Sequence, residues 1–161
     1  MSLFFIANRI RLAVFFEFVL QDRKADAADA LRQALDKAPQ SPFALASLVA
    51  LLQELGRGAE AKSLLADYSR KYPSDFSARF IEGTDLARQG DAQGAAKIFS
   101  EIVAAQPNAI NAWAALADLN RADSARHIDI YKRGLAANPG NPELGLALSI
   151  AYEQAGRYEE A

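Results

Sequence analysis

The chain has no cysteine and a single histidine among its 161 residues. Lack of cysteine excludes disulfides, thiolate metal sites and a cysteine nucleophile, and one histidine cannot supply a usual zinc ligand set. Charge of one sign is equally scarce: 18 Lys and Arg stand against 20 Asp and Glu, a formal net charge of −2. The charges are interspersed, without the clustered Lys/Arg footprint of nucleic-acid binders, so they read as solvated helix surface and no nucleic-acid partner is expected. No segment sustains apolar/polar alternation, so no sheet is expected. A phosphate loop is missing too: Gly90-Asp91-Ala92-Gln93-Gly94 has neither the lysine nor a preceding strand. It reads as an inter-helix turn with Asp91 as N-cap.

What is present is a period. Pro39, Pro73 and Pro107 stand 34 residues apart, and Pro139 follows after 32. Cutting just past each proline gives segments 8–41, 42–75, 76–109, 110–141 and an incomplete 142–161, read together as one array over residues 1–161. A small-residue column then holds Ala27, Ala61, Ala95 and Ala161, and a large-residue column holds Leu31, Leu65, Phe99 and Tyr131. Alanine on the second helix of a pair lets the first helix approach, and the large residue four positions later shares its face and fills the space beside it. Gly56, Gly90 and Gly156 fall between paired helices, where a residue past a helix C-terminus often needs positive φ. Pro42 and Pro142 follow Ser41 and Asn141, a first helical position behind a good N-cap. With 34 alanines in the chain, the strongest helix former, the pattern predicts ten helices, at about 3–21, 24–37, 41–55, 58–71, 75–89, 92–105, 109–121, 124–137, 141–155 and from 158.

A 34-residue helix-turn-helix period, with Gly83, Leu86, Ala95, Phe99 and Pro107 in one segment, Trp113, Leu116 and Tyr131 in the next, and Leu148, Tyr152 and Ala161 in the last, resembles the tetratricopeptide repeat (TPR) family over about residues 8–161. The resemblance implies an all-α, right-handed superhelical solenoid of antiparallel helix pairs, acting as a non-catalytic protein-interaction scaffold without cofactor or metal. In that family the first helix of each pair lines a concave face. Carried over position by position, the register points to a groove with Phe16, Phe43, Ser47, Phe80, Ile81, Thr84, Asn111, Asp118, Leu146 and Ile150. Chaperone-binding members hold a terminal carboxylate with Lys, Asn and Arg at these sites, a set missing here. The apolar and small residues instead favour an apolar peptide or amphipathic helix.

The run LFFIANRIRLAVFFEFVL at 3–20 admits more than one reading. As the first array helix it is apolar all round, which calls for cover on all sides and hence for a homo-oligomer. As a membrane or export segment it carries Asn8, Arg9, Arg11 and Glu17, each costly in lipid; that alternative would make the chain an envelope-associated assembly or export factor. A further alternative is the recognition part of a transferase whose catalytic domain lies outside this chain. His127, near Ser124 and Asp129, invites a hydrolase reading, but three residues within six positions of one helix do not make an enclosed triad. His127 falls in the alanine column, so it reads as a histidine tolerated where a turn was rebuilt, and His127→Ala is expected to be harmless or stabilising.

Overall fold

The computed structural model describes residues 23–161. Eight helices and no strand are formed among the described residues: α1 (Lys24–Lys37), α2 (Pro42–Glu54), α3 (Gly58–Lys71), α4 (Ser77–Arg88), α5 (Ala92–Ala105), α6 (Ile110–Asp118), α7 (Ser124–Ala137) and α8 (Pro142–Gln154). The expected helix at 3–21 lies outside the described residues. The expected helix from 158 is a turn at 158–160, held by one backbone bond from the Glu160 N–H to the Arg157 carbonyl (3.2 Å) and by the Arg157 guanidinium on the Glu160 carboxylate, and Ala161 is exposed rather than buried. Four residues cannot repay the cost of nucleating a helix.

Side-chain oxygens start these helices where the sequence placed them. Ser41, Asp91 and Asn141 accept from the N–H groups of Ala44, Gly94 and Leu144, each satisfying an otherwise unpaired first-turn donor. Three of the turns inside helix pairs close alike. Gly56, Gly90 and Gly156 adopt φ of 72°, 87° and 72°, and the N–H of the next residue (Arg57, Asp91, Arg157) reaches back to the carbonyl of Leu52, Leu86 or Tyr152 at 2.7–2.9 Å. That six-to-one bond needs a left-handed residue, which glycine adopts without steric cost.

The chain divides into two compact units, Met1–Ala78 and Arg79–Ala161. In the first, α2 lies against both α1 and α3. Ala27 and Leu31 of α1, Leu45, Leu48 and Leu52 of α2, and Ala61 and Leu65 of α3 are buried, so the small and large columns form the core. At its far end the Tyr68 hydroxyl donates to Asp75, and the other Asp75 oxygen accepts from the Ser77 N–H at 2.9 Å. Burial pushes the Asp75 carboxyl up, but hydrogen bonds from Ser77, Tyr68 and Gln40 outweigh it and leave the group below its ordinary range. Burial and the same carboxylate push the Tyr68 phenol up, so it stays a neutral donor.

In the second unit α6 lies against α5 and α7 and touches α8, which also packs on α7. The α4–α5 contact is made by removal of a side chain: a Cβ built on Gly83 would stand 2.8 Å from Phe99 Cε1 and 3.1 Å from Ile98 Cγ2. Phe80 extends the same contact, with ring centroids 5.4 Å from Phe99. Between α6 and α7 the roles reverse. Trp113 supplies the ring and Gly134 the space, a Cβ there standing 3.1 Å from Trp113 Cγ. The indole Nε1–H donates to the Pro107 carbonyl at 2.9 Å, and the Asn138 amide donates to the same oxygen at 2.7 Å. One carbonyl thus ties the turn before α6 to the end of α7.

Two glycine substitutions should therefore act with opposite sign. Gly83→Ala should lower stability by about 1–3 kcal/mol through overpacking. Gly145→Ala, in a helix with nothing within 4 Å of the new Cβ, should raise it by about 0.4–1 kcal/mol; urea melts of both variants check the pair. The Asp75 contribution is present above the unfolded carboxylate value, about 4, and is lost as pH falls through the lower folded value. Stability of the parent chain should fall more steeply on acidification below about pH 4 than that of Asp75→Asn, as measured by thermal melts at a series of pH values.

Candidate partner-binding surface

Both helices of each pair contribute to the core. The second helices α1, α3 and α5 bury the small and large columns, and the first helices α2, α6 and α8 bury apolar residues on one side while their other side meets solvent. Among the described residues four large apolar side chains are exposed, and three of them, Phe43 (52%), Leu146 (65%) and Ile150 (43%), lie on first helices. The fourth, Tyr158, is in the last turn.

The register residues divide between the units. In the first, Phe43 and Ser47 are one turn apart on α2, Phe43 exposed and Ser47 half-buried. In the second, Phe80 and Ile81 on α4 are half-buried, and Phe80 is committed to Phe99. Thr84 is exposed, but its hydroxyl donates to the Phe80 carbonyl of its own helix at 2.9 Å. Asn111 and Asp118 are exposed two turns apart on α6, with Asp118 paired to Arg121 at 2.7 Å. Leu146 and Ile150 occupy successive turns of α8, on the side away from buried Leu144, Ala151 and Tyr152. Phe16 lies outside the described residues. The apolar character of this set therefore comes from Phe43 in one unit and from Leu146 and Ile150 in the other.

The triad-like group is a structural device. His127 is 6% exposed, its Nδ1 is 2.8 Å from the Ala117 carbonyl, and its ring meets Tyr131 edge-on at 5.0 Å. A carbonyl only accepts, so Nδ1 carries the proton. Ser124 is exposed at the first position of α7, and the nearest basic partner of exposed Asp129 is Arg133 at 3.9 Å. The reason for the histidine lies in the turn. The two-residue shortening ends α6 at Asp118 and leaves Leu119–Asp123 without glycine, so the six-to-one closure of the other turns is missing. In its place the Asn120 amide donates to the Leu116 carbonyl at 2.8 Å, and His127 takes the next carbonyl from the facing helix. The expectation of a merely tolerated histidine omitted this bond. No group of three His, Cys, Asp or Glu suited to a metal occurs among the described residues, and no helix among them is long and apolar enough to cross a membrane.

Residues 19–79 match the sequence profile of the tetratricopeptide repeat family. The structure is similar to three solved proteins of low identity. The Pseudomonas aeruginosa pilF protein is 16% identical, with 99% of this chain and 73% of that chain covered at a TM-score of 0.60. A thermophilic TPR protein of Thermus thermophilus is 19% identical, with 95% and 85% covered at 0.59. MamA of AMB-1 is 20% identical, with 97% and 86% covered at 0.52. A search of curated protein sequences gives no match. Residues 19–79 read as tetratricopeptide repeat, and the likeness to the solved proteins extends the helical-repeat fold along the chain. The fold is the all-α helical repeat expected from the proline period. In TPR terms α2/α3, α4/α5 and α6/α7 are helix pairs, α1 is a second helix and α8 a first helix.

His127→Ala should destabilise the chain by about 1–3 kcal/mol, since it removes a buried hydrogen bond and a ring contact. Ser124→Ala, at an exposed position, should change stability by no more than about 0.5 kcal/mol. Urea denaturation of the two variants beside the parent chain checks the assignment.

Proposed function

We propose that this chain is a non-catalytic interaction scaffold that takes an apolar segment of a protein partner on the solvent faces of its first helices. The observation that supports this is the distribution of exposed apolar side chains: Phe43, Leu146 and Ile150 are on first helices, and the second helices carry none among the described residues. Large side chains left in water on a surface of smaller residues are natural anchors. Around them stand Ala46, Ser47 and Ala147, which favour a close-lying aliphatic or aromatic segment over an extended charged tail. Catalysis finds no support in His127, whose Nδ1 is held by a backbone carbonyl. The run at 3–20 supports self-association in addition, because an apolar surface of that extent is rarely left uncovered.

The test uses a set of synthetic amphipathic peptides with Leu- and Phe-rich faces and varied net charge, titrated calorimetrically. At least one should bind, and Phe43→Ala in the first unit, or Leu146→Ala with Ile150→Ala in the second, should weaken binding at that unit by about 1–3 kcal/mol, the range for interface anchors. Affinity should change little between low and high salt, because the buried contacts are apolar. Normal binding by both alanine variants, with affinity falling steeply in salt, would count against the apolar surface.

A further inference from the structure

On α8 the face opposite the core reads Glu143, Leu146, Ile150, Glu153, a spacing of three, four and three residues that keeps all four side chains on one stripe. All four are exposed. The stripe is about 15 Å long at 1.5 Å per residue, apolar in the middle and acidic at both ends. Neither carboxylate takes part in an ion pair among the described residues. The chain itself contains a sequence of complementary kind. The run at 3–20 holds five phenylalanines, and its only cations are Arg9 and Arg11, two residues apart, against one acid, Glu17.

We infer that the α8 stripe is the receiving surface for residues 3–20 of a second copy of this chain. The inference rests on the reading of first-helix faces as docking surfaces and adds the occupant. Leu146 and Ile150 take the aromatic side chains of the run. Glu143 or Glu153 receives Arg9 and Arg11, and a charge-assisted contact at the edge of an apolar one fixes register more than it adds affinity. Each copy offers one donor run and one receiving stripe, so the contact is heterologous. It propagates from copy to copy, or closes into a ring, rather than stopping at a symmetric dimer.

Absence of native cysteine gives a clean test. Two single-cysteine forms of the full chain, Ala13→Cys and Ala147→Cys, are mixed in reduced form and then oxidised together. The mixed disulfide should predominate in the mixture over either homodimer. In sedimentation, Leu146→Glu with Ile150→Glu, both exposed and so compatible with folding, should raise the apparent dissociation constant at least about tenfold. Glu143→Arg with Glu153→Arg should weaken assembly, and Arg9→Glu with Arg11→Glu on the partner copy should restore it. If Ala13→Cys links only to itself and no mixed product forms, the runs associate with each other; the stripe is then overturned as receiver while self-association stands. A monomer-sized, concentration-independent disulfide in the Ala13→Cys, Ala147→Cys double variant would overturn the second copy as the source. A parent chain that is monomeric at every concentration overturns the inference and self-association together, and leaves the peptide titration to judge the scaffold reading.

Discussion

Close approach of two paired helices is the contact on which the rest of the molecule depends. It requires that at each pairing one helix give up side-chain volume where the other presents it. Gly83 makes room for Phe99 in one pair, and Gly134 makes room for Trp113 in the next. The residue that yields changes helix between the two pairs, yet the outcome is the same: a large ring against bare backbone. Interiors of this density tolerate neither an added methyl group nor a missing one. The 34-residue period is therefore a record of where volume is present and where it is withheld.

The α6/α7 pair shows what that constraint allows when the period is broken. Loss of two residues takes away the glycine turn that closes α2, α4 and α8 through a six-to-one backbone bond. The final carbonyls of α6 still need donors, because an unpaired buried carbonyl costs as much as a lost hydrogen bond. The Asn120 amide side chain supplies Leu116 and its backbone N–H supplies Ala117 at 2.9 Å, and His127 adds a further donor to the Ala117 carbonyl from across the pair. The histidine takes an alanine position, and its added volume is accommodated edge-on against Tyr131. A residue that looks catalytic by type is engaged in a helix-to-helix hydrogen bond and a ring contact.

Recurrence explains how much of this could be read from the sequence. The Ala27, Ala61 and Ala95 column and the Leu31, Leu65 and Phe99 column repeat and are buried alike, and the caps expected at Ser41, Asp91 and Asn141 are formed. Contacts that occur once left no such trace. Tyr68 with Asp75, and Trp113 with Asn138 on the Pro107 carbonyl, join residues across turns at separations that no other segment repeats. The candidate surface was legible only in part, for a related reason. Register identifies a first-helix position, but exposure there depends on neighbours: Phe43 remains in solvent, whereas Phe80 turns onto Phe99.

The same contrast separates structure from recognition within each repeat. Positions that pack one helix on another are held to a narrow range of volumes, so they look alike from repeat to repeat. First-helix solvent faces are free of that demand and differ at every step: Phe43 and Ser47 on α2, Thr84 on α4, Asn111 and Asp118 on α6, Leu146 and Ile150 on α8. Such variation has no consequence for helix packing, whereas it changes what each repeat presents to another chain. Phe43 offers a flat aromatic surface, α6 offers a neutral amide and a carboxylate already paired with Arg121, and α8 offers branched aliphatic groups between two acids. Within each unit the exposed anchors are apolar, so what distinguishes one such surface from another is shape more than net charge.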